Sequence, residues 1–260
     1  MRLRVLLPAL AAVAAAAALL AGPAVVHAAD PDTLWKIVHG RCAPGEAASL
    51  NPAPCAFVSL PAPRQLGYAV LKDRSGQTQH LLIPTDKVTG IEDAQLQRPG
   101  SETYLARAWA FRSLDFARLG HALPDRDMSL AINSQYGRSQ NQLHIHIDCV
   151  RQDVRDALAR DQASIGPDWK PMSEPLAGHV YEAMAMPAQD LERTNLFRRL
   201  ARTLPTGTMG RETLVVIGAV LPSGQPGFDV LVDRADQAKG DTASGEDLQD
   251  HDCALKADTP

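Results

Sequence analysis

The chain has 260 residues, of which 45% are hydrophobic, 22% charged and only 5% aromatic, with 26 Lys+Arg against 30 Asp+Glu and a net charge of -4. That mixture excludes a disordered, collagenous or coiled-coil chain and suffices to bury the core of one large domain or two small ones. With no global excess of basic residues, the composition argues against non-specific nucleic-acid binding.

These averages conceal a leader. Arg2 and Arg4 are followed by no Asp, Glu, Lys or Arg until Asp30, and Val5 to Val26 is an apolar, Ala- and Leu-rich run. A basic start, an apolar middle broken at Gly22-Pro23 and a small-residue end at Val26-His27-Ala28 read as a secretory signal. The run is also long enough to span a bilayer, so a retained single-pass anchor is the alternative. Either form sends the remaining chain across a membrane. In a bacterium, with Arg2 and Arg4 held inside, the expectation is an inner-membrane protein facing the periplasm, or a periplasmic one if the leader is cleaved.

Residues 1–28 are therefore read as signal or anchor and residues 29–260 as the working domain. Removing two arginines and no acid takes the net charge from -4 to -6. All four cysteines, Cys42, Cys55, Cys149 and Cys253, lie beyond the leader, and an even number in an exported chain predicts two disulfides. Cys42 and Cys55 bracket a Pro-rich stretch and are expected to close it as a loop, leaving Cys149 to meet Cys253. No C-x-x-C is present to suggest a zinc ribbon or a thioredoxin-type redox centre.

In chain order, Asp30 and Asp32 are expected to cap a helix over Thr33–His39. Gly67–Leu71 and Gln79–Ile83 read as strands around an Asp73-Arg74-Ser75-Gly76 turn. Leu105, Ala108, Trp109, Phe111 and Phe116 form an apolar stripe that predicts a helix over Ser101–Leu119, stopped by Gly120. Met128–Asn133 and Gln142–Val150 read as strands separated by a polar turn. Helices are predicted over Arg151–Ala163 and Asp190–Thr203, and a hairpin joins Glu212–Leu221 to Phe228–Val232. A last helix is expected over Glu246–Lys256, while residues 165–185 carry no clear pattern. Hairpins mixed with helices predict an α+β fold with a mainly antiparallel sheet and flanking helices.

The chemistry concentrates between Asn133 and Cys149. Strand alternation places Gln142, His144, His146 and Asp148 on one face and Leu143, Ile145, Ile147 and Cys149 on the other, which must be the core. Cys149 is then a structural thiol, turned away from the histidines. The preceding turn brings Asn133, Gly137, Arg138, Ser139 and Asn141, donors suited to phosphate oxygens. From spacing alone His144 and His146 fit a solvated strand face, a His-x-His metal chelate completed by Asp148 or a distant His, or nucleophilic attack on phosphorus by a neutral imidazole.

Context separates these readings. Gln142-Leu143-His144-Ile145-His146-Ile147 resembles the histidine-triad (HIT) signature with its first His replaced by Gln, and Gln79–Lys87 resembles that superfamily's strand ending in Ile-Pro. Within it, the chain is similar to the exported CDP-diacylglycerol pyrophosphatase family. That likeness rests on Asp32–Val38, Asn51-Pro52-Ala53-Pro54-Cys55, Tyr68–Asp73, Pro124-Asp125-Arg126, Ser129–Cys149 and Leu248–Cys253. It implies a HIT-like fold and hydrolysis of a membrane lipid substrate, CDP-diacylglycerol, to CMP and phosphatidate, with no metal and no cofactor. It further implies His144 as nucleophile on the cytidylyl phosphorus, His146 as holder of phosphate oxygens and helper of the leaving group, and Gln142 as a neutral group orienting the nucleophile. Asn133 and Ser139 match phosphate contacts. Arg138 and Asn141 are added from charge and position alone, and Lys72 is read as simply exposed.

Overall fold

A computed structural model describes residues 30–255 apart from positions 64 and 102. The expected leader and the end of the last predicted helix lie outside the described residues. Ten strands make one sheet: β1 (Phe57–Ser59), β2 (Tyr68–Lys72), β3 (His80–Pro84), β4 (Met128–Ile132), β5 (Ile145–Val150), β6 (Lys170–Pro171), β7 (Glu182–Pro187), β8 (Glu212–Val220), β9 (Pro226–Arg234) and β10 (Gln249–Asp250). Their order is β1-β2-β3-β5-β4-β8-β9-β7-β6, with β10 added to β5, and every pairing is antiparallel. The expected α+β class with a mainly antiparallel sheet is what the chain adopts.

The helices are α1 (Thr33–Ile37), α2 (Ala43–Ser49), α3 (Thr103–Ala110), α4 (Ser113–Leu119), α5 (Gln152–Asp161) and α6 (Leu196–Ala201). One sheet face carries Val70, Leu82, Leu130, Ile145, Ile147, Val216 and Val230, covered by Tyr104, Leu105 and Ala108 of α3 and Leu196, Phe197 and Leu200 of α6. Each such fully buried aliphatic or aromatic side chain contributes about 1.5–3 kcal/mol. The opposite face is covered in two separate patches. Val38 and Cys42 close over Ala69, Leu71, Leu81 and Ile83 at one end. Val154, Ala157 and Leu158 of α5 close over Val215, Ile217 and Leu231 at the other. Between these patches, in register with Leu81 and Ala131, lies His146. The gap between two coverings is where this fold leaves room for a site.

Four local expectations are corrected. The stretch after Cys42 is not a loop: α1, a π-helical turn over Val38–Cys42 and α2 run on continuously, and the Ala43 N–H reaches back to Val38 O. Pro44 has no N–H to give and its ring crowds the carbonyl four residues earlier, so the wider π turn lets the helix continue past it. The predicted 101–119 helix breaks at Phe111-Arg112, where the Arg112 side chain takes the Trp109 carbonyl at 2.8 Å. This break lets α4 direct Asp115 onto His80 of β3, 2.6 Å away. The helix expected from Asp190 begins only at Leu196, because the Asn195 side chain caps it by accepting from Arg198 N at 2.9 Å. The last predicted helix is instead a short 3-10 turn over Gly245–Leu248 followed by β10, held extended by pairing with Val150 and Cys149. The unpatterned 165–185 region supplies β6 and the start of β7. Both expected disulfides are formed: Cys42–Cys55 and Cys149–Cys253, with Cα separations of 5.7 and 5.4 Å.

Candidate active site

Strand β5 starts at Ile145, three residues later than its sequence pattern suggests. Opposite, β3 ends in Pro84, which cannot donate to a ladder. Gln142 takes over that pairing with its side chain. Its amide donates to Pro84 O at 3.0 Å and Asp86 O at 2.9 Å and accepts from Val88 N at 3.3 Å. The side chain is fully buried in this clamp, so its polar atoms do not reach the His144 ring, which the resemblance has it orient. Its main chain does: the Gln142 carbonyl sits 2.7 Å from His144 Nδ1. Gln142→Leu leaves two carbonyls and an amide without their partner. Each buried loss costs about 1–3 kcal/mol, so the midpoint of urea unfolding is expected to fall by an amount equivalent to at least ~2 kcal/mol.

A carbonyl can only accept, so His144 carries its proton on Nδ1 and keeps the lone pair on Nε2. His146 lies beside it, with ring centroids 4.7 Å apart and planes at 67°. Burial pushes both imidazoles below their ordinary pKa, His146 the further because its neighbour also disfavours a second charge. His146 Nε2 is buried with no hydrogen-bond partner among the described residues. Its Nδ1 is 3.1 Å from Glu246 Oε1, out of line for a hydrogen bond.

Glu246 is a member that sequence reasoning missed. It is held by Asn133, whose side chain donates to Oε2 at 2.5 Å and accepts from the Glu246 amide at 3.3 Å. His251 stands behind it, Nε2 4.0 Å from Oε1, with Nδ1 on Asp148 at 2.7 Å. That carboxylate raises the His251 pKa. Asp148 is in turn fixed by Thr78 Oγ1 at 2.7 Å and Cys149 N at 2.9 Å. The sequence signal for this group was the Glu246–His251 segment itself, which a helical reading hid.

His144, His146, Asn133, Gly137, Ser139 and Glu246 line a cavity of about 240 Å³, closed by Leu34 and Ile37 of α1 and by the turn that carries Lys72, Asp73 and Arg74. The structure thus brings together four of the seven expected site residues. Gln142 serves as the clamp described above. Arg138 is turned away into a two-pronged ion pair with Glu92, both contacts 2.7 Å. Asn141 is exposed, its amide bonded to Pro31 O at 2.7 Å. Neither residue lines the cavity. The cationic groups that do are Lys72, expected only to be exposed, and Arg74. Among the described residues no third His, Cys, Asp or Glu groups with both His144 and His146; the Glu246 carboxylate stands beside His146 alone.

The family model for CDP-diacylglycerol pyrophosphatase matches residues 29–257. The chain belongs to the CDP-diacylglycerol pyrophosphatase family. A CDP-diacylglycerol pyrophosphatase from Yersinia pestis is 42% identical over 233 residues, covering 89% of this chain and 87% of that protein. The family match spans both histidines, both disulfides and the Glu246–His251 segment, so the whole cavity lies within it.

Proposed function

We propose that the chain hydrolyses the pyrophosphate bond of CDP-diacylglycerol to CMP and phosphatidate through a cytidylyl-His144 intermediate on a HIT-like fold. The observation that carries the mechanism is the 2.7 Å contact from His144 Nδ1 to the Gln142 carbonyl, which reserves Nε2 for attack. In the first step Nε2 bonds to the cytidylyl phosphorus and the P–O bond to phosphatidate breaks. Phosphatidate leaves with the bridging oxygen. Arg74 and Ser139 suit the negative charge gathering on the phosphoryl oxygens, and Lys72, its ammonium bonded to the Asp73, Ser75 and Gly76 carbonyls, adds positive charge to the cavity wall. His146 Nε2, with no partner among the described residues, contacts the bridging oxygen as it departs. In the second step water attacks the phosphoramidate, the N–P bond breaks, CMP leaves and His144 is restored.

Glu246 is the base in reach of that water. Glu246→Gln is therefore expected to lower turnover about 10²-fold with little change in KM, a range usual for loss of a general base. The pH profile follows from burial. A protonated His144 has no lone pair on Nε2, and its pKa is lowered, so the acid limb of turnover should lie below the ordinary histidine value of about 6.5. A limb centred at or above that value would contradict the assignment.

The cavity of about 240 Å³ suits a nucleotide and its phosphates but not two acyl chains, which must stay outside it. The apolar Val5–Val26 run and the disulfides support a domain placed at a membrane on the periplasmic side, as signal or anchor. Leu34 and Ile37, which wall the cavity, follow that run closely in sequence. Among the described residues no helix is long and apolar enough to cross a membrane. The test is CMP release by the full chain from CDP-diacylglycerol in vesicles, compared with soluble dinucleotides at equal concentration. Preference for the lipid is expected; equal or faster cleavage of soluble dinucleotides would favour a general HIT-type nucleotide hydrolase instead.

A further inference from the structure

On the same sheet face as the histidines, towards β9, three side chains from distant parts of the chain converge. His179 follows a tight turn in which Ala177 and Gly178 both have positive φ. Asp233 projects from β9, and Asp241 opens the strap that leads to Glu246. Their donor atoms all lie within 4.8 Å of one another, the one such group of three among the described residues. His179 Nδ1 is 3.0 Å from Asp241 Oδ2 and 3.8 Å from Asp233 Oδ2.

The decisive atom is Asp233 Oδ2. Asp233 is only 7% exposed, and this oxygen has no hydrogen-bond partner among the described residues. A buried carboxylate oxygen left unpaired is costly, and it points into the cluster. The Tyr181 hydroxyl, fully buried and also unpartnered, adds a second unmet polar group near the same acids.

We propose that His179, Asp233 and Asp241 bind one divalent transition-metal cation of the Zn²⁺ type, and that the cation fastens the strap carrying Glu246. One imidazole with two carboxylates is a ligand set suited to zinc or manganese; calcium and magnesium take oxygen donors instead. The arrangement also supplies an outer partner: Asp247 Oδ2 lies 3.9 Å from His179 Nε2, on the side where a carboxylate keeps the proton and leaves Nδ1 for the metal. A cleft of about 770 Å³, lined by His179, Asp233 and Asp241, gives a route from solvent.

From Asp241 the strap runs directly to the histidines. The Ser134 hydroxyl donates to Thr242 O, Ser134 N donates to Ala243 O at 3.1 Å, and the Glu246 amide then meets Asn133. Fixing Asp241 therefore fixes the segment that sets the position of Glu246. Cation binding does not depend on the reading of His144; only its consequence for turnover does.

The test is titration of the chelator-stripped full-length chain with ZnCl₂ by calorimetry, alongside thermal melts with and without zinc. One equivalent per chain and a raised Tm are expected. Asp241→Asn and His179→Gln should each weaken binding by about tenfold or more and abolish the Tm rise, as loss of a ligand or its partner does. His144→Asn should bind zinc like the parent. A metal-free Asp241→Asn melt close to that of the metal-free parent would show that the loss is of a ligand and not of the fold. No zinc bound by the parent would overturn the site, as would zinc retained in both Asp241→Asn and His179→Gln but lost in His144→Asn. Because binding and melting are read without substrate, failure here leaves the hydrolase reading untouched.

Discussion

Replacing His144 by Asn is expected to lower CMP release from CDP-diacylglycerol by on the order of 10⁴-fold, because in the proposed mechanism it is the covalent nucleophile and its removal forfeits the two-step route. The loss should fall on turnover far more than on KM, since the phosphates are held by groups that remain. Asn preserves a polar side chain beside the Gln142 carbonyl, so the melting temperature should move little. A second variant makes the assignment specific. His144→Gly opens space where the buried ring stood, and added imidazole should restore part of the activity by attacking the same phosphorus. Rapid quench of the parent with cytidine-labelled substrate should trap label on the protein in an acid-labile, base-stable form, as expected of a phosphoramidate. Activity of His144→Asn within about tenfold of the parent would remove His144 as nucleophile. The same series on His146 should differ: His146→Asn should keep the trapped label but form it slowly, because the proposal puts it at the departing oxygen.

The contrast between Gln142 and Glu246 shows what the sequence could and could not carry. Alternation along Leu143–Cys149 correctly assigned Ile145 and Ile147 to the core and His144 and His146 to the other face, because a strand's period of two is rigid. It also placed Cys149 away from the histidines, where Cys253 meets it. What alternation could not reveal is which backbone group a side chain finds. Gln142 is diverted by Pro84, 58 residues earlier in the chain, whose missing N–H leaves a gap in the ladder. Arg138 is captured by Glu92, a partner no local pattern identifies. Glu246 and His251 were missed for a different reason. Residues 246–256 have a composition that a helix tolerates, and helix propensity is a weak prior that tertiary pairing overrides. Here the override is β10 on β5, fastened by a disulfide. The helix boundaries at Phe111 and Asn195 moved for the same reason, since Arg112 and Asn195 find backbone partners that end or start a helix more sharply than the apolar stripe does.

Cys253→Ser is expected to be the most destabilising single change outside the core. The chain-entropy model assigns about 3 kcal/mol to closing a short loop such as that between Cys42 and Cys55, separated by 13 positions, and about 4–5 kcal/mol to one of roughly 100 residues. Cys149 and Cys253 are separated by 104 positions, which puts their bridge at the upper end. For a domain of this size that should lower Tm by roughly 10 °C or more, read by thermal melting at matched pH. The effect on activity should exceed what stability alone implies. Cys253 lies two residues beyond His251, which holds Asp148 on one nitrogen and faces Glu246 on the other. Without the bridge, that end of the tail is held by the short β10 pairing of Gln249 and Asp250 and by His251, through Asp148 and the Gln77 amide. CMP release by Cys253→Ser should therefore fall well below the parent even where melting curves show the domain still folded. Cys55→Ser, whose bridge secures the helix over Ala69 and Ile83, should lose activity only as it unfolds. If both variants lost activity in step with unfolding, the tail would be a structural fastening alone, and the placement of Glu246 by the tail would have to be abandoned.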